Sequence, residues 1–302
     1  MNSTPQIART IFLSSDGLRG GWRFLLYAVA IWYIPNFLYW FSAQYLGYAG
    51  TGFGAGDIAV YAVFTFLACV VASSALTRVE GRDMAWFGFS FNHRSLRNFG
   101  TGMLWGGGVV TFLVVILAVC GYFSLSGLAL RGPAFFGYFA LWLVAMVLVG
   151  FGEELFYRGY GLKALAGSIG FWPAALVTSL IFGGVHLYFK PMETVADIFN
   201  IVLLGLFMSY SIRISGTLWF AIGFHAGFDF FALSLYGAPN TGNNGLPLEN
   251  HLLYTRIEGP VWLTGGPQGL EASWLIVPCA LLMALAFRNL HAKKGSLEQG
   301  VY

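Results

Sequence analysis

Eight stretches of roughly twenty residues in this chain are almost free of charge, and they limit the folds open to it. A helix rises 1.5 Å per residue, so about twenty apolar residues cross the ~30 Å hydrocarbon layer of a bilayer. The candidate spans run Trp22–Tyr45, Asp57–Leu76, Phe99–Phe123, Phe135–Tyr157, Trp172–Phe189, Val195–Ile214, Thr217–Leu235 and Ala272–Leu290. Charged residues make up 10% of the 302 and hydrophobic ones 57%, whereas a water-soluble domain carries about 25% charged residues. Such a chain cannot cover its own surface in water. In lipid it can, because helices satisfy their backbone polar groups internally. The expected fold is all-α, a polytopic membrane helical bundle of about eight transmembrane helices, forming a single integral membrane domain over 1–302. N-terminal spans fill 1–131. A core over 132–235 carries the polar residues discussed below, and 236–302 supplies a long connection and the last span.

Basic residues set the expected direction. With a cytoplasmic N-terminus, thirteen of the sixteen Lys and Arg fall on that side, among them Arg9, Arg23, Arg78, Arg94, Arg97, Arg213, Lys293 and Lys294. Arg131, Lys190 and Arg256 fall on the other. That asymmetry predicts a multi-pass protein of the cytoplasmic (inner) membrane with its N-terminus inside. Arg9, Arg19 and Arg23 precede an apolar run too long for a signal-peptide core, so a retained first span is expected. The net charge of +3 is spent on orientation. It points to the lipid bilayer as a partner and to no nucleic acid. Cys69, Cys120 and Cys279 lie in apolar runs without metal-ligand spacing and read as small buried side chains. Forty glycines suit close helix packing, with Gly102 and Gly106 one weak small-residue pair.

Against this background six polar residues stand out. Each charge inside a membrane costs about 2.5–3.5 kcal/mol on insertion scales, yet Glu153, Glu154, Arg158 and Asp229 lie inside or at the edge of spans, with His186 and His225. Glu154 and Arg158 are i and i+4 with the acid first, the favourable order for a pair. Glu153 sits about 100° round the helix, leaving a free carboxylate beside a structural ion pair. Phe182 and His186 share a face of the next span. His225 and Asp229 are again i and i+4, and Gly223 and Gly227 let their helix approach a neighbour. Depths disagree: about 15 Å for Glu153 counted from Lys163 as the membrane edge, 12 Å for His225 and 18 Å for Asp229 from Thr217, and 21 Å for His186 from Trp172. A tilt of the fifth span, or a break at Gly150 and Gly152, would bring them level.

A carboxylate withdrawn from water makes a useful general base for a water molecule. Imidazoles can donate to the oxyanion formed when a carbonyl is attacked, and an Asp can fix the tautomer of its histidine. Those parts suffice for peptide-bond hydrolysis without a covalent intermediate. The same Glu153, His186 and His225 form a possible Zn²⁺ ligand set, so a zinc-dependent protease is an alternative. The absence of an HExxH pair favours a metal-free site.

The motifs Glu153-Glu154-x-x-x-Arg158, Phe182-x-x-x-His186 and His225-x-x-x-Asp229 resemble the three signatures of the CPBP (Abi) family of intramembrane proteases, which includes the type II CAAX prenyl endopeptidases. The resemblance covers roughly Phe135 to Leu235. It implies that Glu153 activates water, that His186 assists at the reacting centre, and that His225 and Asp229 bind or stabilise the oxyanion, with Glu154 and Arg158 in support. An ionised Asp only accepts hydrogen bonds, so Asp229 would act protonated or through His225. The implied substrate is a peptide or protein, prenylated or carrying a leader, cut near the cytoplasmic half of the bilayer.

Two non-enzymatic readings use the same residues: a membrane scaffold or immunity protein, and a transporter with a buried proton relay. The second predicts an inverted repeat, which the sequence lacks. Gly54-Ala-Gly-Asp57 matches an aspartyl-protease pattern, but Asp57 opens a span where capping explains it, and no GxSxG nucleophile motif occurs.

Overall fold

Each apolar run is a helix in the computed structural model, which describes residues 12–14, 17–47, 53–190 and 192–292. Arg9, Lys293 and Lys294, used for orientation above, lie outside the described residues. The helices are α1 (Gly20–Tyr45), α2 (Ala55–Val79), α3 (His93–Val119), α4 (Pro133–Glu154), α5 (Gly161–Ile169), α6 (Phe171–Phe189), α7 (Val195–Ser215), α8 (Trp219–Asp229) and α9 (Ile276–Ala292). Among the described residues six helical stretches are long and apolar enough to cross a membrane, with α4 and α5 counting as one stretch from Pro133 to Ile169. The segments Trp219–Leu235 and Ile276–His291 are apolar but shorter. The architecture is therefore an all-α membrane bundle, and six of the eight expected spans reach full crossing length. Outward faces carry Leu104, Val115, Leu180 and Leu282 exposed, as helices solvated by lipid require.

The fourth expected span does not stop at Tyr157. It stays helical through Gly150 and Gly152, passes into a wider π-helical segment over Leu155–Tyr160, and turns at Gly159 (φ −80°, ψ −120°) into α5. The break thus falls after the Glu153-Glu154 pair and not at the two glycines before it. Such π segments often mark functional sites because they redirect side chains within a helix.

Close backbone contact places α8. A Cβ at Gly102 or Gly106 of α3 would lie closer than 3.0 Å to the carbonyl oxygens of Phe220 and Phe224. Reciprocally, a Cβ at Gly223 or Gly227 would meet the carbonyls of Phe99 and Met103. Two small-xxx-small faces therefore mesh, and only hydrogen side chains allow that spacing. The weak glycine pair of the sequence is half of this joint. It fixes the helix that carries His225 and Asp229.

The connections are more ordered than their composition suggests. Residues Met84–Phe87 form a 3₁₀ turn capped by Asp83, whose carboxylate accepts from Ala85 N. Phe123–Leu128 pairs antiparallel with Leu253–Ile257, with a register shift between Leu125 and Gly127. Part of the third expected span and of the long connection is thus a small sheet. Trp142 Nε1 donates to Asn250 O (3.1 Å), and Asn200 Nδ2 donates to Glu271 O and Ser273 O (3.1 and 3.0 Å), fastening that connection to α4 and α7. Cys69 and Cys279 are buried as expected, while Cys120 is exposed at the end of α3.

Candidate active site

The two neighbouring glutamates occupy different environments. Glu154 is wholly buried, and its Oε1 accepts from Arg158 Nη1 at 3.0 Å and from His225 Nδ1 at 2.8 Å. Arg158 is equally buried. Its guanidinium lies 4.6 Å from the Phe182 ring centre, and Gly205 makes room for it, since a Cβ there would collide with Nη2. One helical step away, Glu153 opens into a cavity of about 790 Å³ and keeps a third of its side chain accessible. The 100° offset between consecutive helical residues separates a carboxylate used for structure from one available to a ligand.

His225, Asp229 and His186 line the same cavity. The Nε2 of His225 lies 3.5 Å from Glu153 Oε2 and 3.4 Å from Asp229 Oδ2. Three carboxylates therefore surround one imidazole. Its Nδ1 faces the carboxylate of Glu154, so Nδ1 carries a proton and donates it. His186 comes from α6. Its Nδ1 donates to the carbonyl of Phe182 one turn back (3.0 Å), which leaves Nε2 as the free ring position. The Phe182 ring packs against both imidazoles, at 4.5 Å from His186 and 6.1 Å from His225 between ring centres. Phe182, which shares a helix face with His186, thus packs beside both histidines.

The structure brings all six sequence-singled residues into one region. Glu153, His186, His225 and Asp229 face the cavity, with Glu154 and Arg158 behind them. The contact that the sequence reading missed is Glu154 to His225, across 71 residues. The pairing of Glu154 with Arg158 had accounted for Glu154, so no signal pointed further. Lys190 and Glu271, outside the spans, were also missed. Lys190 lines the cavity one turn beyond His186, and its Nζ lies 3.7 Å from Glu193 and 3.8 Å from Glu271. Burial pushes the Glu271 carboxyl up to about 7, with Lys190 pulling it back.

A zinc ion, as the alternative to a metal-free centre, would be held by Glu153, His186 and His225. Among the described residues no three His, Cys, Asp or Glu side chains group so as to hold a metal ion. The Nδ1 bonds of His225 to Glu154 and of His186 to a backbone carbonyl leave Nε2 of each ring for other contacts, an orientation that metal-ligating histidines also adopt.

No curated protein and no solved structure matches the chain. Residues 135–231, which contain all six polar residues and the π segment between α4 and α5, match the family model described as type II CAAX prenyl endopeptidase Rce1-like.

Proposed function

We propose that this protein is an intramembrane endopeptidase in which Glu153 activates a water molecule for attack on a peptide carbonyl. One observation carries the reading: of two adjacent glutamates, Glu154 is sealed between Arg158 and His225, while Glu153 faces a cavity that His186, His225 and Asp229 also line. The family match over 135–231 supports hydrolysis of a peptide or protein within a membrane.

The chemistry follows from the hydrogen-bond directions. A water in the cavity gives a proton to Glu153, and the resulting hydroxide adds to the carbonyl carbon of the scissile bond. His186, with Nδ1–H committed to Phe182, presents a bare Nε2 that accepts from this water and orients it. His225, with Nδ1–H held by Glu154, presents Nε2 between Asp229 and Glu153. A second proton there serves as the donor to the oxyanion, and Asp229 holds it in place. The proton taken by Glu153 then passes to the leaving amine as the C–N bond breaks, which restores the carboxylate. No covalent intermediate and no metal enters this sequence.

The cavity reaches between α1, α2 and α6 and is walled by Ile31, Trp32, Ile58 and Phe189. An apolar or lipid-modified segment beside the scissile bond suits that wall, and a prenylated C-terminal peptide is the proposed substrate class. The end of the bundle where α1 and α3 begin, with Arg23, Arg94 and Arg97, is assigned to the cytoplasm. Incubating purified protein with a library of prenylated and unprenylated peptides, with mass-spectrometric detection, tests the proposal. Wild type is expected to cleave and Glu153→Gln to fail. Full cleavage by Glu153→Gln overturns the assignment of the base.

A further inference from the structure

A second cavity, of about 590 Å³, opens at the end of the bundle where α3 begins and α9 ends. Its rim is basic, formed by His93, Arg94 and Arg97 from the first turns of α3 and by His291 from the last turn of α9. Its inner wall is aromatic. Trp105 and Phe287 lie there with ring centres 5.9 Å apart, and Phe287 stacks on His291 at 4.1 Å. Among the described residues no acidic side chain lines it and no ion pair engages Arg94 or Arg97. The opposite case is close by, since Arg23 and Arg82 both pair with Glu80.

Arg94 and Arg97 thus have no acidic partner among the described residues, and they sit directly above an apolar pocket at a bundle end. That order of chemistries, positive charge outside and aromatic surface within, complements a phosphodiester attached to acyl chains. A soluble anion would have no use for the inner wall, and a neutral lipid none for the arginines. The site is separate from the catalytic cavity and is built mainly from α3 and α9, which lie outside residues 135–231.

We propose that this cavity binds the headgroup of an anionic phospholipid, with Arg94 and Arg97 on the phosphate and the first acyl carbons against Trp105 and Phe287. The site touches the catalytic region through α3, whose Gly102 and Gly106 seat α8 about one and a half to two and a half turns beyond Arg97.

The test is binding to the full-length protein, measured by native mass spectrometry and by thermal stabilisation in neutral detergent. The titrants are phosphatidylglycerol, phosphatidylcholine and inorganic phosphate. A basic side chain near an anionic surface strengthens binding roughly fivefold, so Arg94→Gln/Arg97→Gln is expected to weaken phosphatidylglycerol binding about twentyfold or more. Both side chains are exposed, so the folded state survives the change. Arg131→Gln, at the other end of the bundle, is expected to bind phosphatidylglycerol as wild type does. Preference for phosphatidylglycerol over phosphatidylcholine, lost in the double variant alone, supports the site. Equal binding of the two lipids, equal loss in Arg131→Gln, or equal stabilisation by inorganic phosphate overturns it. The readout is independent of cleavage, so it stands or falls apart from the proposed protease activity.

Discussion

Removing one partner of the Glu154–Arg158 pair is expected to cost far more than removing both. The two charges are wholly buried with 3.0 Å between oxygen and nitrogen. At an effective dielectric of ~20, Coulomb attraction at that distance is worth about 5 kcal/mol, and breaking a buried pair by deleting one member costs about 3–5 kcal/mol because the other charge is stranded. Glu154→Leu strands Arg158 against Phe182 and leaves His225 Nδ1–H without its acceptor. Arg158→Met strands Glu154. The double variant Glu154→Leu/Arg158→Met strands no charge, and well-packed apolar replacement of a buried pair is often close to neutral. Each single variant is expected to lower the unfolding midpoint in detergent by on the order of 10 °C, taking about 2–4 °C per kcal/mol, and the double variant by clearly less than the sum. Cleavage separates the roles further. The double variant regains stability but not activity, because His225 has still lost the carboxylate that orients it. Additive losses in the cycle, or losses of about 1 °C for the single variants, would refute the picture of a coupled buried pair.

Five other outcomes follow. Glu153→Gln, which faces the cavity, should reduce the cleavage rate by about 10²–10⁴-fold while leaving the unfolding midpoint unchanged, as followed by peptide turnover and thermal scans. Gly106→Ala places a methyl closer than 3.0 Å to the carbonyl of Phe224 and should cost about 1–3 kcal/mol together with activity, as α8 is pushed off α3. Gly108→Ala, which meets nothing within 4 Å, should be neutral or slightly stabilising in the same scans. Glu271, held at about 7 by burial, binds its proton more readily folded than unfolded. Its contribution to stability is therefore present at low pH and is lost as pH rises from about 4.5 toward 7. Midpoint-versus-pH curves should show that slope in wild type and a flatter one in Glu271→Gln. Chelator treatment is expected to leave cleavage unchanged; stoichiometric zinc that restores a lost activity would end the metal-free mechanism.

What was legible in the sequence was whatever depends on one segment at a time. Apolar length marked the helices, and the offset between Glu153 and Glu154 gave one structural and one available carboxylate before any coordinates. What was hidden depends on two segments meeting. Glu154 satisfies Arg158 locally, so nothing in the sequence asks for His225 as well. The glycines of α3 and α8 are ordinary in each helix and become a joint only when Gly102 and Gly106 face Gly223 and Gly227. The strand over Phe123–Leu128 has its partner about 130 residues on, in a connection whose Gly, Asn and Pro content reads as turn.

The disagreement in depth between His186 and Glu153 has the same origin, and α1 resolves it. Tyr27 donates to Leu155 O, and the Trp32 ring contacts that of Phe189 at 5.3 Å between centres. Those two marks on α1 are five residues, or about 7.5 Å, apart. Glu153 lies two residues from Leu155 on a helix running against α1, and His186 lies three residues before Phe189 on a helix running with it. The two steps, about 3 and 4.5 Å, close the interval and bring both side chains to one level. The error lay in the reference point. Lys163, taken as the membrane edge, belongs to α5, beyond the π segment and the turn at Gly159, so a count of residues from it does not measure depth. The same reasoning predicts that inserting one alanine between Glu154 and Arg158 leaves Glu153 in the cavity but disturbs the Arg158 register. Such a variant should lose stability, by thermal scan, more than a variant with one alanine inserted after Ser168. If the two insertions are equally tolerated, the π segment is not what holds Arg158 against Glu154.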